Sequence, residues 1–177
     1  MIKEVFRQDF PLNKNLVFTY KSSKYLDVII KSEQDINMTF EFKVKEFNEP
    51  FNGKITRNLS KDYDEFARFF SYFNQNNHES AFLSIGFQSI DIYKIWDIYV
   101  EPSFQNLGIG TELLKHSEKI ARQWSAKAIV VECQSSNFPA IKFFQKNNFL
   151  ITGFDLVHYS RDDLKKHDFL VHMTKIL

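Results

Sequence analysis

The sequence predicts a single-domain α/β protein, in the broad sense that includes α+β, with a mixed central sheet of about six to seven strands and flanking helices. Strand-like and helix-like patterns alternate through the second half of the chain. The first fifty residues carry runs of β-branched and aromatic residues between polar breaks. With 177 residues the chain suffices for one domain, so we expect one domain over residues 1–177, with strands in 1–55 and a core in 60–177.

The N-terminal third contains three predicted strands, over residues 16–20, 25–30 and 38–47, and a turn at Asn52-Gly53. Phenylalanines at 66, 69, 70 and 73 then follow the i, i+3, i+4, i+7 spacing of one helical face. Asp62 and Glu65 stand three apart and resemble a capping box. These features predict a helix over residues 60–75, whose phenylalanine face is either core or the border of a substrate cleft.

The remaining elements are predicted from similar patterns. Two strands, 80–88 and 90–100, are joined by a turn at Gln88-Ser89, and Glu101-Pro102 ends the second strand. Apolar residues from Leu113 to Trp124 have helical spacing. A strand over 127–132, a helix over 137–146 with Asn137 as its N-cap, and strands over 149–159 and 168–176 complete the chain.

Composition excludes several function classes. The net charge is +1, from 23 basic and 22 acidic residues, so we expect no nucleic-acid partner. Cys133 is the single cysteine, which fits a reducing cytoplasm. The first residues lack the apolar run of a signal peptide, and no stretch approaches the roughly 18 apolar residues of a membrane span. We therefore expect a soluble, cytoplasmic protein without a membrane partner.

A glycine-bearing loop, Gln105-Asn106-Leu107-Gly108-Ile109-Gly110, joins a predicted strand to a predicted helix. The first amides of a helix lack intrahelical acceptors, and glycines let a diphosphate approach the backbone closely. A P-loop would need Lys-Ser or Lys-Thr after its last glycine, but Thr111-Glu112 follows. The third glycine of a dinucleotide fingerprint is also absent, since Leu113 occupies its place.

Two segments resemble motifs of the GNAT superfamily of N-acetyltransferases. Residues 98–102, the glycine loop and Leu113-Leu114 resemble that family's Q/R-x-x-G-x-G/A motif after a strand. Asn137, Ala140, Phe144, Lys146 and Phe149 resemble its N-x-x-A-x-x-x-Y-x-K-x-x-F segment. The resemblance covers roughly residues 80–155. It implies a GNAT-like fold and transfer of an acetyl group from acetyl-CoA to an amine by direct attack in a ternary complex.

A narrower resemblance links three segments to the streptothricin acetyltransferases. They are Trp96 to Val100, Glu132-Cys133-Gln134, and Gly153-Phe154-Asp155 with Tyr159-Ser160. This implies a small-molecule amine acceptor, a streptothricin-like antibiotic being the sharpest candidate, and hence a role in antibiotic resistance.

The resemblance also implies which residues hold the cofactor. The strand around Ile98, Tyr99 and Val100 would bind the pantetheine arm through its backbone. The loop amides would hold the diphosphate, and Asn137 and Phe144 would lie along the cofactor. The complete expected set is Ile98, Tyr99, Val100, Gln105, Asn106, Leu107, Gly108, Ile109, Gly110, Thr111, Asn137 and Phe144.

Acid–base candidates follow from the chemistry, because an amine must lose a proton before it attacks a thioester. Glu132 either accepts that proton, directly or through water, or only solvates the end of its strand. The family's general-acid tyrosine is replaced by Phe144. Either another residue donates the proton, with Tyr159 as our first candidate, or the thiolate departs without a dedicated acid, or activity is low; the alternative role of Tyr159 is a core aromatic with a satisfied hydroxyl. Asp97 and Asp155 either attract a cationic substrate or are merely solvated.

Several alternatives stay open on the sequence. His158 is a further catalytic candidate, and no histidine spacing implies a metal site. Phe144 leaves room for a noncatalytic acyl-CoA-binding module, and a protein or peptide N-terminal acetyltransferase is a second enzymatic alternative. The apolar C-terminal strand could pair across a homodimer.

Overall fold

We describe the fold from a computed structural model of the chain, covering residues 1–9, 15–32, 37–58, 63 and 66–177. The strands, in chain order, are β1 (Ile2–Val5), β2 (Asn15–Ser32), β3 (Met38–Asn58), β4 (Arg68–Phe73), β5 (Glu79–Ser89), β6 (Ile92–Val100), β7 (Ala128–Gln134), β8 (Leu150–Asp155) and β9 (Leu170–Ile176). The α-helices are α1 (Ile109–Gln123), α2 (Phe138–Lys146) and α3 (Asp163–Lys166).

The central sheet has seven strands in the order β1-β4-β5-β6-β7-β9-β8. Only β6 and β7 pair in parallel, and α1 connects them; every other neighbouring pair is antiparallel. This mixed sheet with flanking helices confirms the predicted fold class. The strands β2 and β3 form a separate long hairpin.

Successive residues of a strand point to opposite faces of the sheet, so the two apolar clusters lie on opposite faces. The main core contains Leu83 of β5 with Leu113 of α1 and Ile141 of α2. The second cluster is aromatic and contains Phe18, Tyr63, Phe69 and Phe82. The helices α1 and α2 therefore cover one face, and the start of the hairpin covers the other.

The predicted helix over residues 60–75 is wrong where the structure describes it. Arg68–Phe73 is strand β4, paired with both β1 and β5. Phe70 lies in the main core and Phe69 in the aromatic cluster, so both faces of the strand are buried. Phenylalanines that are adjacent in sequence therefore pack into the apolar clusters on opposite faces of the sheet. Their spacing imitates one face of a helix although the segment is a strand. The proposed capping residues Asp62 and Glu65 lie outside the described residues.

The hairpin also differs from its prediction. The two predicted strands at 16–20 and 25–30 are one strand, interrupted only by a bulge between Ser22 and Lys24. Asn52-Gly53 is not a turn but part of β3, where Gly53 pairs with Tyr20. A Cβ atom at position 53 would overlap the Tyr20 ring, so this glycine makes room for a cross-strand aromatic side chain.

Two smaller boundaries shift as well. The turn between β5 and β6 is Ile90-Asp91 rather than Gln88-Ser89, and Asp91 has φ of 63°. The predicted strand over 149–159 ends at Asp155, because the Asp155 carboxylate accepts a hydrogen bond from the Val157 amide (2.9 Å) and closes a turn. Helix α2 begins after Asn137, whose side chain accepts from the Ala140 amide (3.2 Å), as predicted for an N-cap.

Candidate active site

The central sheet opens between β6 and β7. These strands pair only from Ile92 with Ala128 to Ile95 with Val131. Trp96 has no cross-strand partner, because β5 pairs Ile85 with Ile95 and Ser84 with Asp97, which makes Trp96 a bulge. Beyond the bulge, residues 97–100 pair only with β5, and residues 132–134 pair only with β9. The predicted pantetheine strand, Ile98 to Val100, thus borders a cleft between two diverging strands.

The loop after β6 leads into the N-terminus of α1 at the mouth of this cleft. Gln105 Nε2 donates to the Val100 carbonyl (3.0 Å) and ties the loop to the strand end. Gly108 is the N-cap with φ of 85°, a left-handed conformation that favours glycine. The first helical hydrogen bond is from Glu112 N to Gly108 O (3.0 Å), so the amides of residues 109–111, including Thr111, precede the ladder. These amides and the helix dipole suit an anion.

The second glycine of the loop permits close packing of the two helices. A Cβ atom on Gly110 would lie 3.0 Å from Cζ of Phe143 on α2. Phe143 is half-buried, whereas Phe144 is buried in the main core against Phe149. Asn106 (φ 61°) and the exposed Leu107 complete the loop. Phe143 therefore lies at the contact between α1 and α2, and Phe144 packs behind it in the core.

Glu132 lies at the point where β7 leaves β6, on the face opposite α1. Lys94 of β6 forms an ion pair with Glu132, with 2.7 Å between Nζ and Oε2, and the Lys94 side chain is only 12% exposed. Lys94 also lies over the Trp96 ring, 4.4 Å from its centroid. The second oxygen, Oε1, is 3.8 Å from Nδ1 of His172. His172 lies on β9, directly opposite Glu132 in the antiparallel pairing of β7 with β9. One carboxylate oxygen is thus paired with Lys94, and the other lies close to His172.

Tyrosine hydroxyls from two other parts of the chain approach this region. Burial raises the pKa of Tyr159 above the usual phenol value, and the charges of Asp168, Cys133 and Glu132 and nearby Tyr20 act in the same direction. The Tyr159 ring contacts the His158 ring with 4.8 Å between centroids, and 47% of the residue is exposed. Tyr159 lies in the segment after β8, not on a strand as predicted.

Asp97 does not face the solvent as a free charge. Tyr63 donates to its Oδ2 (2.5 Å), Arg57 Nε lies 3.4 Å from its Oδ1, and Ser84 accepts from its backbone amide (3.0 Å). Burial raises the pKa of the Asp97 carboxyl above its usual value, although the bonds from Tyr63 and Arg57 oppose this. The structure thus connects Asp97 to the hairpin strand β3.

Two further candidates, Asp155 and His158, lie at the turn after β8. The Asp155 side chain is 43% exposed and closes the turn after β8, with His158 Nδ1 at 3.8 Å from its other oxygen. Cys133 is buried on the main-core face, and burial raises the pKa of its thiol to about 12. A thiol with that pKa is almost entirely protonated at neutral pH and is a poor nucleophile.

Sequence reasoning missed several residues of the site. Lys94 and His172 alternate with buried residues on β6 and β9, the two strands next to β7. Given the strand order, this alternation places both side chains on the same face of the sheet as Glu132. Tyr20, Tyr63 and Arg57 reach the site from distant parts of the sequence, and no local pattern indicates such contacts.

In the part of the chain that the structure describes, no group of three or more His, Cys, Asp or Glu side chains is arranged to hold a metal ion. Among the described helices, none is long and apolar enough to cross a membrane.

Comparison with known proteins identifies the family. The profile of the Acetyltransferase (GNAT) family matches residues 36–149. The chain belongs to this family. It is therefore a GNAT-type, acetyl-CoA-dependent acetyltransferase, as the glycine loop and the segment after Asn137 predicted. The matched range contains the split strands, the loop and both major helices.

Solved structures share the fold of this acetyltransferase. Nourseothricin acetyltransferase superposes with a TM-score of 0.80 at 17% identity, covering 99% of this chain and 97% of that chain. A protein from Bacillus anthracis str. Ames, assigned as a streptothricin acetyltransferase and solved with acetyl coenzyme A, gives 0.77 at 19%, covering 100% and 97%. The ribosomal-protein-S18-alanine N-acetyltransferase from Escherichia coli gives 0.56 at 19%, covering 67% and 74%.

Proposed function

We propose that this acetyltransferase transfers the acetyl group of acetyl-CoA to a primary amine of a small cationic molecule, with a streptothricin-like compound as the sharpest candidate. The single observation that carries the acceptor class is the extent of the structural likeness. The nourseothricin and streptothricin enzymes cover 99% and 100% of this chain, the β2–β3 hairpin included. The protein-acetylating enzyme covers only 67%.

The proposed cofactor site follows the cleft and the helix N-terminus. The amides of the loop from Gln105 to Gly110 and of Thr111 would bind the diphosphate, and the backbone of Ile98, Tyr99 and Val100 would bind the pantetheine arm. Asn137 and the α2 wall supported by Phe144 would border the arm. Bound acetyl-CoA supplies the thioester carbonyl that the amine attacks.

Glu132 is the proposed base for the incoming ammonium group. Its Oε2 is held by Lys94 and its Oε1 lies 3.8 Å from His172 Nδ1, so the carboxylate that would accept the proton has a defined position. Tyr159 is the proposed proton donor to the departing thiolate, since its phenol remains protonated well above neutral pH. Asp97 and Asp155 would contribute negative charge toward a cationic acceptor, Asp97 in shared contact with Arg57.

Thiol release from acetyl-CoA in the presence of a panel of amines tests this function. We expect release with streptothricin-like amines and none with peptides bearing a free N-terminus. Binding of CoA without thiol release for any amine would support a noncatalytic acyl-CoA-binding protein instead, a reading motivated by the missing hydroxyl at Phe144.

Glu132→Gln tests the assigned base. The variant should lose at least about tenfold in kcat and keep its affinity for CoA, because only proton transfer is impaired. The matched control is Glu118→Gln, since Glu118 has an ion pair of similar burial with Lys175 at 2.6 Å between α1 and β9. Equal kcat for the wild-type protein and Glu132→Gln would remove Glu132 from the mechanism.

A further inference from the structure

Three side chains that the proposed mechanism does not use form a chain of hydrogen bonds beside the cleft. The Tyr20 hydroxyl lies 2.7 Å from the Ser136 hydroxyl, and Ser136 donates to Oδ1 of Asp168 at 2.5 Å. Tyr20 belongs to the hairpin, Ser136 lies between β7 and α2, and Asp168 immediately precedes β9. The chain therefore joins three separate parts of the fold.

The direction of these bonds follows from the number of hydrogens. Ser136 has one hydroxyl hydrogen, and this hydrogen is directed to Asp168. Ser136 can therefore only accept from Tyr20, so the Tyr20 phenol donates inward. The remaining acceptor site on the Tyr20 oxygen is left for a donor outside the chain, such as an N–H group.

The outer end of the chain lies beside the end of β7, because Ser136, its partner, lies two residues after that strand and directly before Asn137, the N-cap of α2. Burial, with the charges of Asp168 and Cys133, raises the pKa of Tyr20 to about 12, and Tyr20 in turn acts on the pKa of Tyr159. Leu26 of the same strand donates its amide to the Ser135 carbonyl at 2.9 Å, which fixes the hairpin to the end of β7. The Tyr20 ring covers Gly53, so the phenol has a defined position.

We propose that Tyr20, Ser136 and Asp168 form a proton relay that takes the second proton from the acceptor nitrogen and stores it on Asp168. This inference rests on the proposed function, because it assigns a path to a proton that amide formation must release. Tyr20 would contact the acceptor nitrogen, while Ser136 and Asp168 act through it.

The protons balance over the reaction. The ammonium group loses its first proton to Glu132, the nitrogen attacks the thioester carbon, and the C–S bond breaks. The nitrogen then passes its second proton to the Tyr20 oxygen, as the Tyr20 proton moves to Ser136 and the Ser136 proton to Asp168. Tyr159 protonates the thiolate and regains a proton from water. Asp168 and Glu132 each release one proton to water, so one proton leaves per turnover overall.

Asp168 is suited to hold a proton transiently. Burial raises the pKa of its carboxyl, the bond from Ser136 lowers it, and the charge of Asp163 raises it while Lys166 lowers it. The groups that face the relay are thus Asp163 and Lys166 from the α3 region, Cys133 from β7, and Tyr159.

Kinetics of Tyr20→Phe, Ser136→Ala and the double variant in the full chain test the relay. Each single variant should lose at least about tenfold in kcat with KM for acetyl-CoA within about twofold, and the double variant should lose no more than the worse single variant. Tyr25→Phe is the control, because it removes a phenol hydroxyl from the same strand while leaving the three relay side chains in place. Wild-type kcat in either relay variant, or fully additive losses, would overturn the proposal.

A second measurement does not depend on turnover. NMR titration of the Asp168 carboxyl should show a higher pKa in Ser136→Ala than in the wild-type protein, because the bond that stabilises the carboxylate is lost. An unchanged titration would show that the chain does not exist, whatever the enzyme does. Absence of thiol release from the wild-type protein with every amine would instead contradict the proposed function, which separates the two failures.

Discussion

Lys94 and Glu132 form an ion pair at the point where the sheet divides, and a second pair, Lys175 with Glu118, has nearly the same geometry away from the cleft. The two N–O distances are 2.7 and 2.6 Å, and the lysine side chains are 12% and 17% exposed. Comparing variants of the two pairs therefore distinguishes the contribution of such an ion pair to stability from the proposed contribution of Lys94–Glu132 to catalysis.

Lys94→Met and Lys175→Met should destabilise the fold to a similar degree, by about 1–3 kcal/mol each, because each leaves a carboxylate without its partner. Only Lys94→Met should lower kcat, since Glu132 loses the contact that orients it. Urea denaturation and steady-state kinetics of both variants provide the test. Equal kcat in the two variants would show that Lys94 has no positioning role.

Asp97 gives the fold a specific pH dependence. Because burial raises its folded-state pKa above 3.8, the folded protein holds the proton more tightly than the unfolded chain does. This carboxyl therefore favours folding most at acidic pH, and its contribution is lost as the pH rises through the raised pKa. The wild-type free energy of unfolding minus that of Asp97→Asn should thus be larger at about pH 4 than at about pH 7.

Denaturant titrations of both proteins at the two pH values measure this difference. Repeating them in about 1 M salt is the control, because screening weakens surface charge effects but not the cost of burying a carboxylate. A difference that instead grows with pH would mean that Arg57 and Tyr63 outweigh burial.

At the scale of the elements, α1 and α2 approach each other at Gly110. Gly110→Val should weaken CoA binding by about tenfold or more, because the added side chain would displace the Phe143 ring into the groove. Gly153→Ala is the control, since its nearest neighbour, His172 Cδ2, would lie 3.5 Å from the new Cβ, an ordinary contact. Calorimetric titration with CoA measures both; unchanged affinity in Gly110→Val would place the cofactor elsewhere.

The elements that could be predicted from sequence are those whose patterns are local. The loop, α1, β7 and the capped start of α2 each carry spacing or capping signals within a few residues. The strand β4 could not be recognised, because burial of both faces removes the alternation that marks a strand, and its phenylalanines imitate a helix. Gly53 was interpreted as a turn because a cross-strand ring cannot be seen in a linear sequence.

The same limit applies to the candidate site. The proposed cofactor residues lie in two short segments, 98–111 and 137–144, each of which carries its own motif. The proposed acid–base and positioning groups come from β2, β6, β7, the segment after β8 and the residues just before β9, and sequence alone indicates only Glu132 and Tyr159 among them. Lys94, Tyr20 and Asp168 become visible only when the strand order brings them together.

On the scale of the whole molecule, the hairpin connects the two faces of the sheet. Phe18 at its start lies in the aromatic cluster, whereas Leu26 and Val28 further along β2 lie in the main core with α1 and α2. The hairpin therefore passes around the open end of the cleft, and its backbone bond to Ser135 fixes it there.

The proposed contacts to coenzyme A all lie between Ile92 and Phe149, a segment that also contains Asp97. The hairpin, ending at Asn58, carries Tyr20 and Arg57, which we propose lie toward the acceptor amine. Under this proposal, substitutions in the hairpin should change which amine is acetylated and leave thioester binding intact. Natural homologues with other acceptor amines are then expected to differ mainly in the β2–β3 hairpin. The same hairpin is the first segment to randomise in a directed-evolution experiment.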